Sequence, residues 1–312
     1  MTGALTLVMN CFKLKKTLFL FSIVLIHQFY SSRQIFAAAE SPVSENIVYI
    51  GDSHSTIENS LFKHLIPCLE NMTINGQKIT HYLSYNACSA TNPRGHWIKK
   101  SFTPPAVPTA AGKVTECMIH NSTDGRVDFH QVLHKGPIDG LPELLPKYKA
   151  TTLIISHGEN MEGTAPQVVA HIRSTLGSVY NCNIKNNSDF KSCIQEKQAN
   201  GVGARRCIWI SPAIRGEPEV KAYKQMLTQI LHKELEGVCN LIDSSEYPKN
   251  LTPAQTYIPF KARMTNEEFA EEVYKGEDPH FGAKGYEKWG ELLCNDLNAI
   301  FNQGKNEDSE RQ

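Results

Sequence analysis

The stretch that decides the fold is IVYIGDSHS, residues 47–55. Its first part, Ile47–Ile50, is apolar and rich in β-branched residues, which predicts a strand buried on both faces of a sheet. The turn residues Gly51–Ser55 follow directly, and a segment of helical character comes next at about 56–70. A buried strand, a short turn and a helix in this order form the repeating unit of an α/β protein.

The same unit recurs along the chain. Four further apolar runs are predicted as strands, at 82–85, 152–155, 207–210 and 238–242. Further helical segments are predicted at about 165–176, 217–236 and 283–301. This alternation predicts a three-layer α/β/α fold with a parallel, flavodoxin-like sheet of about five strands. Because ligands of such sheets collect beyond the carboxyl ends of the strands, the chemistry is expected there.

Three stretches do not fit the repeat, at about 98–146, 178–204 and 246–276. None has enough apolar periodicity to build a core of its own. We therefore interpret them as loop insertions on one domain, which is expected to span 40–302. The polar stretch 303–312 is expected to be a flexible tail.

The N-terminal segment has the order of a secretory signal peptide. Lys13, Lys15 and Lys16 precede an apolar run at 18–26, and three alanines end at Ala39. Nine helical residues reach about 14 Å, roughly half of a bilayer core. The sequence therefore predicts a cleaved signal peptide at 1–39, no stable membrane anchor afterwards, and a secreted or periplasmic protein.

The charge balance changes with this cleavage. The full chain of 312 residues carries 32 basic and 32 acidic side chains. Residues 1–39 contain four of the basic ones and no acidic one, so cleavage leaves 28 basic against 32 acidic residues and a net charge of −4. A mildly acidic domain is a poor candidate for binding nucleic acid. The content of 41% hydrophobic and 21% charged residues indicates a globular protein rather than a disordered one.

The cysteines also suggest export. The chain has nine, and removing Cys11 with the signal peptide leaves eight: Cys68, Cys88, Cys117, Cys182, Cys193, Cys207, Cys239 and Cys294. An even set in an exported protein predicts up to four disulfides. One local pair, Cys182 with Cys193, is expected because the two bracket a polar, Asn-rich stretch. A metal site is the alternative for the cysteines, although no Cys-x2-Cys spacing occurs. For Cys207 and Cys239 the alternative is a pair of buried thiols.

Ser53 is the first candidate for chemistry. A serine directly after a strand places its hydroxyl at the carboxyl edge of the sheet and its N–H near a helix N-terminus, where a developing oxyanion is favoured. The competing interpretation is that Ser53 or Ser55 caps the following helix.

A serine nucleophile needs a base, and His280 is the candidate because Glu277 and Asp278 precede it closely. A carboxylate at either position could fix the tautomer of the histidine. The alternative is a solvated loop in which the acids cap the last helix. Asn160 follows the strand at 152–155, where its amide could donate to an oxyanion; the alternative is an ordinary turn asparagine.

Together these residues resemble the SGNH, or GDSL-like, hydrolase superfamily. Gly51-Asp52-Ser53 resembles its first sequence block, Gly158-Glu159-Asn160 its third, and Asp278-Pro279-His280 its fifth. The resemblance spans roughly 46–300 with the blocks in the family's order. A Gly-Asp-Ser-His start also resembles SGNH domains attached to sugar acyltransferases, although His54 itself is expected to be a supporting or surface residue.

The resemblance implies a role for each residue. Ser53 would be the nucleophile, His280 the general base and then acid, and Asn160 an oxyanion donor together with the N–H of Ser53. In the second block Ala87 stands where the family usually has a donating glycine, so the resemblance implies that the Ala87 N–H is a further oxyanion donor. Asp278 is favoured as the triad acid because carbohydrate acetyl-transferring relatives use the Asp-x-His spacing, and Glu277 is kept as the alternative.

The predicted function is therefore that of an exported serine esterase. It would remove small acyl groups, in particular O-acetyl groups, from carbohydrate or cell-wall polymer through an acyl-enzyme, with no metal or organic cofactor. One alternative is an O-acetyltransferase with the same triad, and a lipid or thioester substrate is another. A non-catalytic glycan-binding protein of the same fold is the alternative from a different class.

Overall fold

The computed structural model describes residues 44–56, 60–109, 112–133, 136–158, 160–161, 163–182, 187–212, 218–244 and 283–302. The predicted signal peptide, the stretch at 246–276 and the polar tail lie outside the described residues. So do Glu159 of the third sequence block and residues 277–280, which include the candidates Glu277, Asp278 and His280.

In the described part of the chain the main sheet has seven strands. They are β1 (Glu45–Gly51), β2 (Thr80–Cys88), β3 (Glu116–Thr123), β4 (Arg126–Leu133), β5 (Thr152–Ser156), β6 (Arg206–Ile210) and β7 (Asn240–Ile242). Their order in the sheet is β7-β6-β5-β1-β2-β3-β4. The pairs from β7 to β2 are parallel, whereas β2–β3 and β3–β4 are antiparallel. The fold is thus an α/β fold around a mixed, mostly parallel sheet.

The five parallel strands match the five that the sequence predicts. Numbered among themselves along the chain, they stand in the order 2-1-3-4-5, which is that of a flavodoxin-like sheet. The direction of strand succession reverses between β1 and β5. Ligands of open α/β sheets bind at such a reversal, beyond the carboxyl ends of the strands. The strand that carries the Gly51–Ser55 turn therefore lies beside the reversal.

The prediction of a purely parallel sheet was wrong at one edge. Strands β3 and β4 come from the stretch 98–146, which we interpreted as a loop insertion. Their sequences, ECMIHNST and RVDFHQVL, mix apolar with polar residues, and most of β4 is exposed. An edge hairpin with one strand in solvent does not need the continuous apolar run by which the buried strands were recognised.

Six helices with described bounds flank the sheet. They are α1 (Phe62–Glu70), α2 (Leu141–Lys147), α3 (Ala165–Tyr180), α4 (Asn187–Ala199), α5 (Pro218–Leu235) and α6 (Ala283–Asn302). A 3-10 turn covers Ser53–Ser55, and a π-helical turn covers Pro93–Trp97. Short two-stranded pairings join Thr73–Ile74 with Gln77–Lys78, Ser101–Phe102 with Ile138–Asp139, and Val107–Thr109 with Gly112–Val114. The helix predicted from 56 begins only at Phe62, and the predicted insertion at 178–204 contains α4.

Alternate residues of β1 belong to two separate cores. Val48 and Ile50 pack in a cluster with apolar residues of α2–α5. Ile47 and Tyr49 pack in a second cluster with residues of α1 and α6. All four side chains have no solvent exposure. Because β1 is fixed from both sides, the turn that leaves its carboxyl end starts from a rigid support.

Four disulfides use all eight cysteines beyond residue 39: Cys68–Cys294, Cys88–Cys117, Cys182–Cys193 and Cys207–Cys239. The local prediction of Cys182 with Cys193 is confirmed. The alternative of buried thiols at Cys207 and Cys239 was wrong, because parallel pairing of β6 with β7 brings their Cα atoms to 4.6 Å. Four disulfides indicate an extracellular or otherwise oxidising compartment. The described residues all belong to one compact unit that begins at Ser44. None of their helices is long and apolar enough to cross a membrane.

Candidate active site

Ser53 lies at the carboxyl end of β1, in the 3-10 turn beside the reversal of strand order. The residue that caps this turn is Asp52, whose Oδ1 accepts a hydrogen bond from the N–H of His54 at 3.1 Å. Helix α1 begins nine residues after Ser53, with Leu61 at its N-cap. Neither serine of the turn therefore caps α1, and the competing interpretation of Ser53 as a cap was wrong.

The two serines of this turn differ in exposure. Ser55 is fully buried, and its Oγ lies 2.7 Å from the Tyr49 hydroxyl. Ser53 is only half-buried. Of the two hydroxyls, the one on Ser53 is therefore the one that a substrate could reach.

Gly51 is required by the tightness of the same turn. A Cβ on this residue would lie 2.7 Å from Ser55 Oγ and 2.9 Å from the Tyr49 ring. Both neighbours are buried and hydrogen-bonded to each other, so they could not move aside cheaply. The glycine of the first block thus lets the chain pass directly from the buried strand into the serine turn.

Ala87 is not where an oxyanion donor would be needed. The strand predicted at 82–85 extends to Cys88, so Ala87 lies inside β2, opposite Met118 of β3. Ser89 donates its N–H to Glu116 on β3 at 2.9 Å. Since successive N–H groups of a strand point to opposite sides, the Ala87 N–H also points to β3 and away from β1. The prediction for Ala87 therefore fails because the strand is longer than the sequence indicated.

The loop after β2 is instead joined to the serine turn through Thr91. This buried residue donates from Oγ1 to the Cys88 carbonyl at 2.7 Å and lies 3.3 Å from the Gly51 carbonyl. The Trp97 indole donates to the same hydroxyl at 3.2 Å. Nearby, Thr56 Oγ1 and Ser89 Oγ are 2.9 Å apart. The ends of β1 and β2 are thus tied together at the edge where Ser53 lies.

Asn160 is held at the same edge. It follows β5, the other neighbour of β1, and its Nδ2 donates to the Thr91 carbonyl at 3.2 Å. An amide nitrogen carries two N–H groups, so this bond fixes the orientation of the amide while using one of them. The structure therefore brings Asn160 together with the loop that contacts the serine turn. Its role as an oxyanion donor stays a prediction.

His157 lies behind this edge, fully buried and without a charge. Burial, with a smaller contribution from the neighbouring His96, lowers its pKa to about 3. Its Nδ1 is 3.9 Å from Asp52 Oδ2, which is too long for a hydrogen bond, and the neutral ring makes no ion pair. Among the described residues neither ring nitrogen has a hydrogen-bond partner. The sequence indicated no role for this residue.

His54 connects the serine turn to the last helix. It is buried, and its Nδ1 lies 2.8 Å from the hydroxyl of Tyr286 on α6. Trp289, one turn further along α6, packs edge-on against the His54 ring at a centroid distance of 5.7 Å. The interpretation of His54 as a surface residue was wrong, because its ring is buried, and its role as a supporting residue stays a prediction. The sequence did not indicate its partner Tyr286, which lies 232 residues further along the chain.

A second group of buried polar residues at the carboxyl ends of β6 and β7 was also missed. The Trp289 indole donates to Ser244 Oγ at 3.0 Å, and the Ser244 N–H donates to Ser211 Oγ at 2.9 Å. Asp243 accepts from Ser211 at 3.4 Å and lies 3.0 Å from His232 Nε2. The sequence signal was present, since Ser211 and Asp243 close two predicted strands. This network anchors α6 along the same edge of the sheet.

The predicted base His280 and its acids lie outside the described residues, so the triad stays a prediction.

No protein-family model matches this chain, and no curated protein matches it either.

Solved structures with some similarity in fold do exist. One is a peptidoglycan O-acetylesterase, at 13% identity and a TM-score of 0.34, with 84% of this chain and 92% of that chain covered. Another is a DUF4886 family protein from Bacteroides uniformis, at 9% identity and a TM-score of 0.35, covering 83% and 96%. A third is an active site mutant of a family two carbohydrate esterase from Clostridium thermocellum in complex with cellohexaose, at 11% identity and a TM-score of 0.34, covering 84% and 65%. Similarity at this level assigns no activity to this chain.

Proposed function

We propose that this protein is an exported serine esterase of the SGNH type, which removes O-acetyl or other small acyl groups from carbohydrate or cell-wall polymer. One observation carries the proposal. Ser53 is half-buried at the reversal point of a flavodoxin-like strand order, and Asn160 is fixed at the same edge by a hydrogen bond to Thr91. A serine and an amide donor at one edge of the sheet are the groups that acyl transfer through a serine uses.

In the proposed reaction Ser53 Oγ attacks the ester carbonyl while His280 takes its proton. The carbonyl oxygen becomes an oxyanion, which the N–H of Ser53 and the amide of Asn160 stabilise by hydrogen bonds. His280 then donates the proton to the leaving alcohol, and an acyl-enzyme remains on Ser53. Water, deprotonated by His280, then attacks the acyl carbonyl. The bond between the acyl carbon and Ser53 Oγ breaks, and His280 returns the proton to Oγ as the acid leaves. Asp278, with Glu277 as the alternative, would hold the tautomer of His280.

Helix α6 supports the role of His280. The helix begins at Ala283, three residues after His280, and three residues span at most about 10 Å. One turn into α6, Tyr286 contacts His54 next to Ser53. The disulfide Cys68–Cys294 ties the same helix to α1. Only a few residues of the sequence separate His280 from a helix that contacts the serine turn, and this short distance supports the proposed role.

Export and carbohydrate substrates are part of the same proposal. We infer a signal peptide at 1–39, a catalytic domain at 40–302 in a three-layer arrangement, and secretion or release to the periplasm. The four disulfides are what a protein of such a compartment needs. Acylated polysaccharide is the substrate class that the resemblance to carbohydrate O-acetylesterases and acyltransferases favours.

Labelling with a fluorophosphonate probe tests the nucleophile. We expect one adduct per chain on Ser53, and we expect Ser53→Ala to abolish both the adduct and acetate release from an acetyl ester. The matched control is Ser55→Ala, which removes the buried hydroxyl two residues away and should still be labelled. An adduct lost in Ser55→Ala but kept in Ser53→Ala would contradict the assignment, and no adduct on the wild type would favour a binding protein.

A second measurement separates hydrolysis from transfer. Acetate release is measured with and without an oligosaccharide acceptor. An esterase gives acetate in both cases, because water is the acceptor. Products dominated by acetylated sugar would show a transferase with the same nucleophile.

A further inference from the structure

Three side chains form a hydrogen-bonded path between the edge strand β3 and the serine turn. Thr56 ends the turn, and its Oγ1 lies 2.9 Å from Ser89 Oγ in the loop after β2. Ser89 Oγ donates in turn to Glu116 Oε2, on the first residue of β3, at 3.0 Å. Thr56 and Ser89 are buried, and Glu116 is half-buried. The path therefore runs from a strand that the sequence did not predict to the turn that carries Ser53.

The carboxylate of Glu116 sets the direction of this path. Because a carboxylate only accepts, Ser89 gives its single hydroxyl proton to Glu116, and the Ser89 oxygen is left to accept from Thr56. The Thr56 N–H donates to the Ser53 carbonyl at 3.2 Å, and Thr56 Oγ1 lies 3.3 Å from the same carbonyl oxygen. Without Glu116 the Ser89 proton would turn toward Thr56, and the Thr56 proton would turn toward the Ser53 carbonyl.

The end of the path at β3 is rigid. Ser89 donates its N–H to the Glu116 carbonyl at 2.9 Å, so the two residues are joined by a backbone bond as well as by their side chains. The disulfide Cys88–Cys117 links the residue before Ser89 to the residue after Glu116. A covalent bond and two hydrogen bonds thus fix the hydroxyl on which Thr56 depends.

We propose that Glu116 is a positioning residue for the Ser53 nucleophile, acting through Ser89 and Thr56. This role rests on the proposed function of Ser53. A displacement of about 1 Å at a reacting group can slow an enzyme by up to about 100-fold, because the attacking atom must meet the carbonyl in the right geometry. Loss of Glu116 should therefore change the rate of acyl transfer rather than the binding of substrate.

Kinetics on an acetyl ester test this role. Glu116→Ala should lower kcat by roughly tenfold and leave KM within about twofold, because orientation is lost and binding is not. Glu116→Gln keeps an acceptor oxygen for the Ser89 hydroxyl and should restore most of kcat. Ser89→Ala should lower kcat as much as Glu116→Ala does.

The double variant Ser89→Ala/Glu116→Ala shows whether the two residues act in one path. Its kcat should equal that of either single variant, because each change already breaks the path. Losses that multiply in the double variant, or a Glu116→Gln protein as slow as Glu116→Ala, would overturn the role of Glu116.

The matched control is Asp128→Ala on β4. Asp128 also accepts a hydrogen bond from a hydroxyl of the same hairpin, that of Thr123, at 2.7 Å. Thr123 pairs with Tyr82 near the start of β2, at the opposite end of that strand from Ser89. This variant should keep kcat. A fall as large as that of Glu116→Ala would mean that the hairpin affects activity only through general stability.

Hydrogen exchange of the Thr56 N–H tests the path without any measurement of activity. We expect this amide to exchange roughly tenfold faster in Glu116→Ala and Ser89→Ala than in the wild type, and at the wild-type rate in Asp128→Ala. Unchanged exchange in Glu116→Ala would contradict the role of Glu116. A wild type with no esterase activity and no adduct on Ser53 would overturn only the proposed function, because the exchange rates still decide whether Glu116 holds the turn.

Discussion

At the scale of single residues, His157 stands out because it is buried, neutral and without a hydrogen-bond partner among the described residues. A polar group in that state costs free energy, since it has left water and gained nothing in return. Its neighbour Asp52 caps the serine turn by accepting a hydrogen bond from the His54 N–H. The distance of 3.9 Å from Asp52 Oδ2 to His157 Nδ1 is too long for a hydrogen bond between the cap and the ring.

The lowered pKa of His157 predicts acid sensitivity. In the unfolded chain the ring binds a proton below about pH 6.5, but in the folded protein its pKa is about 3. The free energy of unfolding is therefore unaffected by this titration above pH 6.5, and it decreases as the pH falls from 6.5 toward 3. Between pH 7.5 and 4.5 the loss is roughly 2–3 kcal/mol in the free energy of unfolding.

Urea unfolding at both pH values measures this effect. His157→Leu fills a similar volume and does not titrate, so the drop between pH 7.5 and 4.5 should shrink by roughly 2–3 kcal/mol in the variant. An unchanged drop would show that His157 is protonated in the folded state or that other groups dominate.

At the scale of elements, the serine turn and helix α6 depend on each other. The hydrogen bond between His54 and Tyr286 joins positions 232 residues apart, and the Trp289 network extends the contact toward β7. The turn therefore receives its orientation from β1 on one side and from α6 on the other.

Removing the Tyr286 hydroxyl tests this dependence. In Tyr286→Phe the bond to His54 is lost in a buried site, which should lower the free energy of unfolding by about 1–3 kcal/mol. We also expect kcat on an acetyl ester to fall more than KM changes, because the turn and the segment before α6 lose a common anchor.

The matched control for that variant is Tyr82→Phe. Tyr82 stacks on Tyr148 at the other end of β2, so its hydroxyl does not reach the carboxyl edge. This variant should keep kcat. A Tyr286→Phe protein with wild-type kcat would show that the contact only stabilises the fold.

At the scale of the whole molecule, the buried parallel strands could be predicted from the sequence because each contains a short, mainly apolar run followed by turn or polar residues. Strands β3 and β4 could not, since their pairing is set by cross-strand contacts such as His120 with His130. The positions of Ser53 and Asn160 followed from the strands that precede them. The contacts of Thr91 and Tyr286 could not be predicted, because they join distant segments whose spacing in the sequence carries no period.

The disulfide Cys68–Cys294 encloses most of the domain, because its two cysteines are 226 positions apart in the sequence. The other three bonds each join cysteines that follow one another in the chain. For a polypeptide that is translocated from its N-terminus, Cys88 reaches the oxidant long before Cys294 does. Rapid oxidation would therefore couple Cys68 to the wrong partner, and maturation should depend on a disulfide isomerase.

Secretion by host cells with and without such an isomerase measures this dependence. We expect less native protein without the enzyme. The double variant Cys68→Ser/Cys294→Ser keeps only bonds between consecutive cysteines, so its yield should be the same in both hosts. Equal yields of wild-type protein would mean that Cys68 stays reduced until the last helix has emerged. The Cys68–Cys294 bond, which fixes the last helix to the domain, is therefore expected to make secretion of the chain depend on a disulfide isomerase.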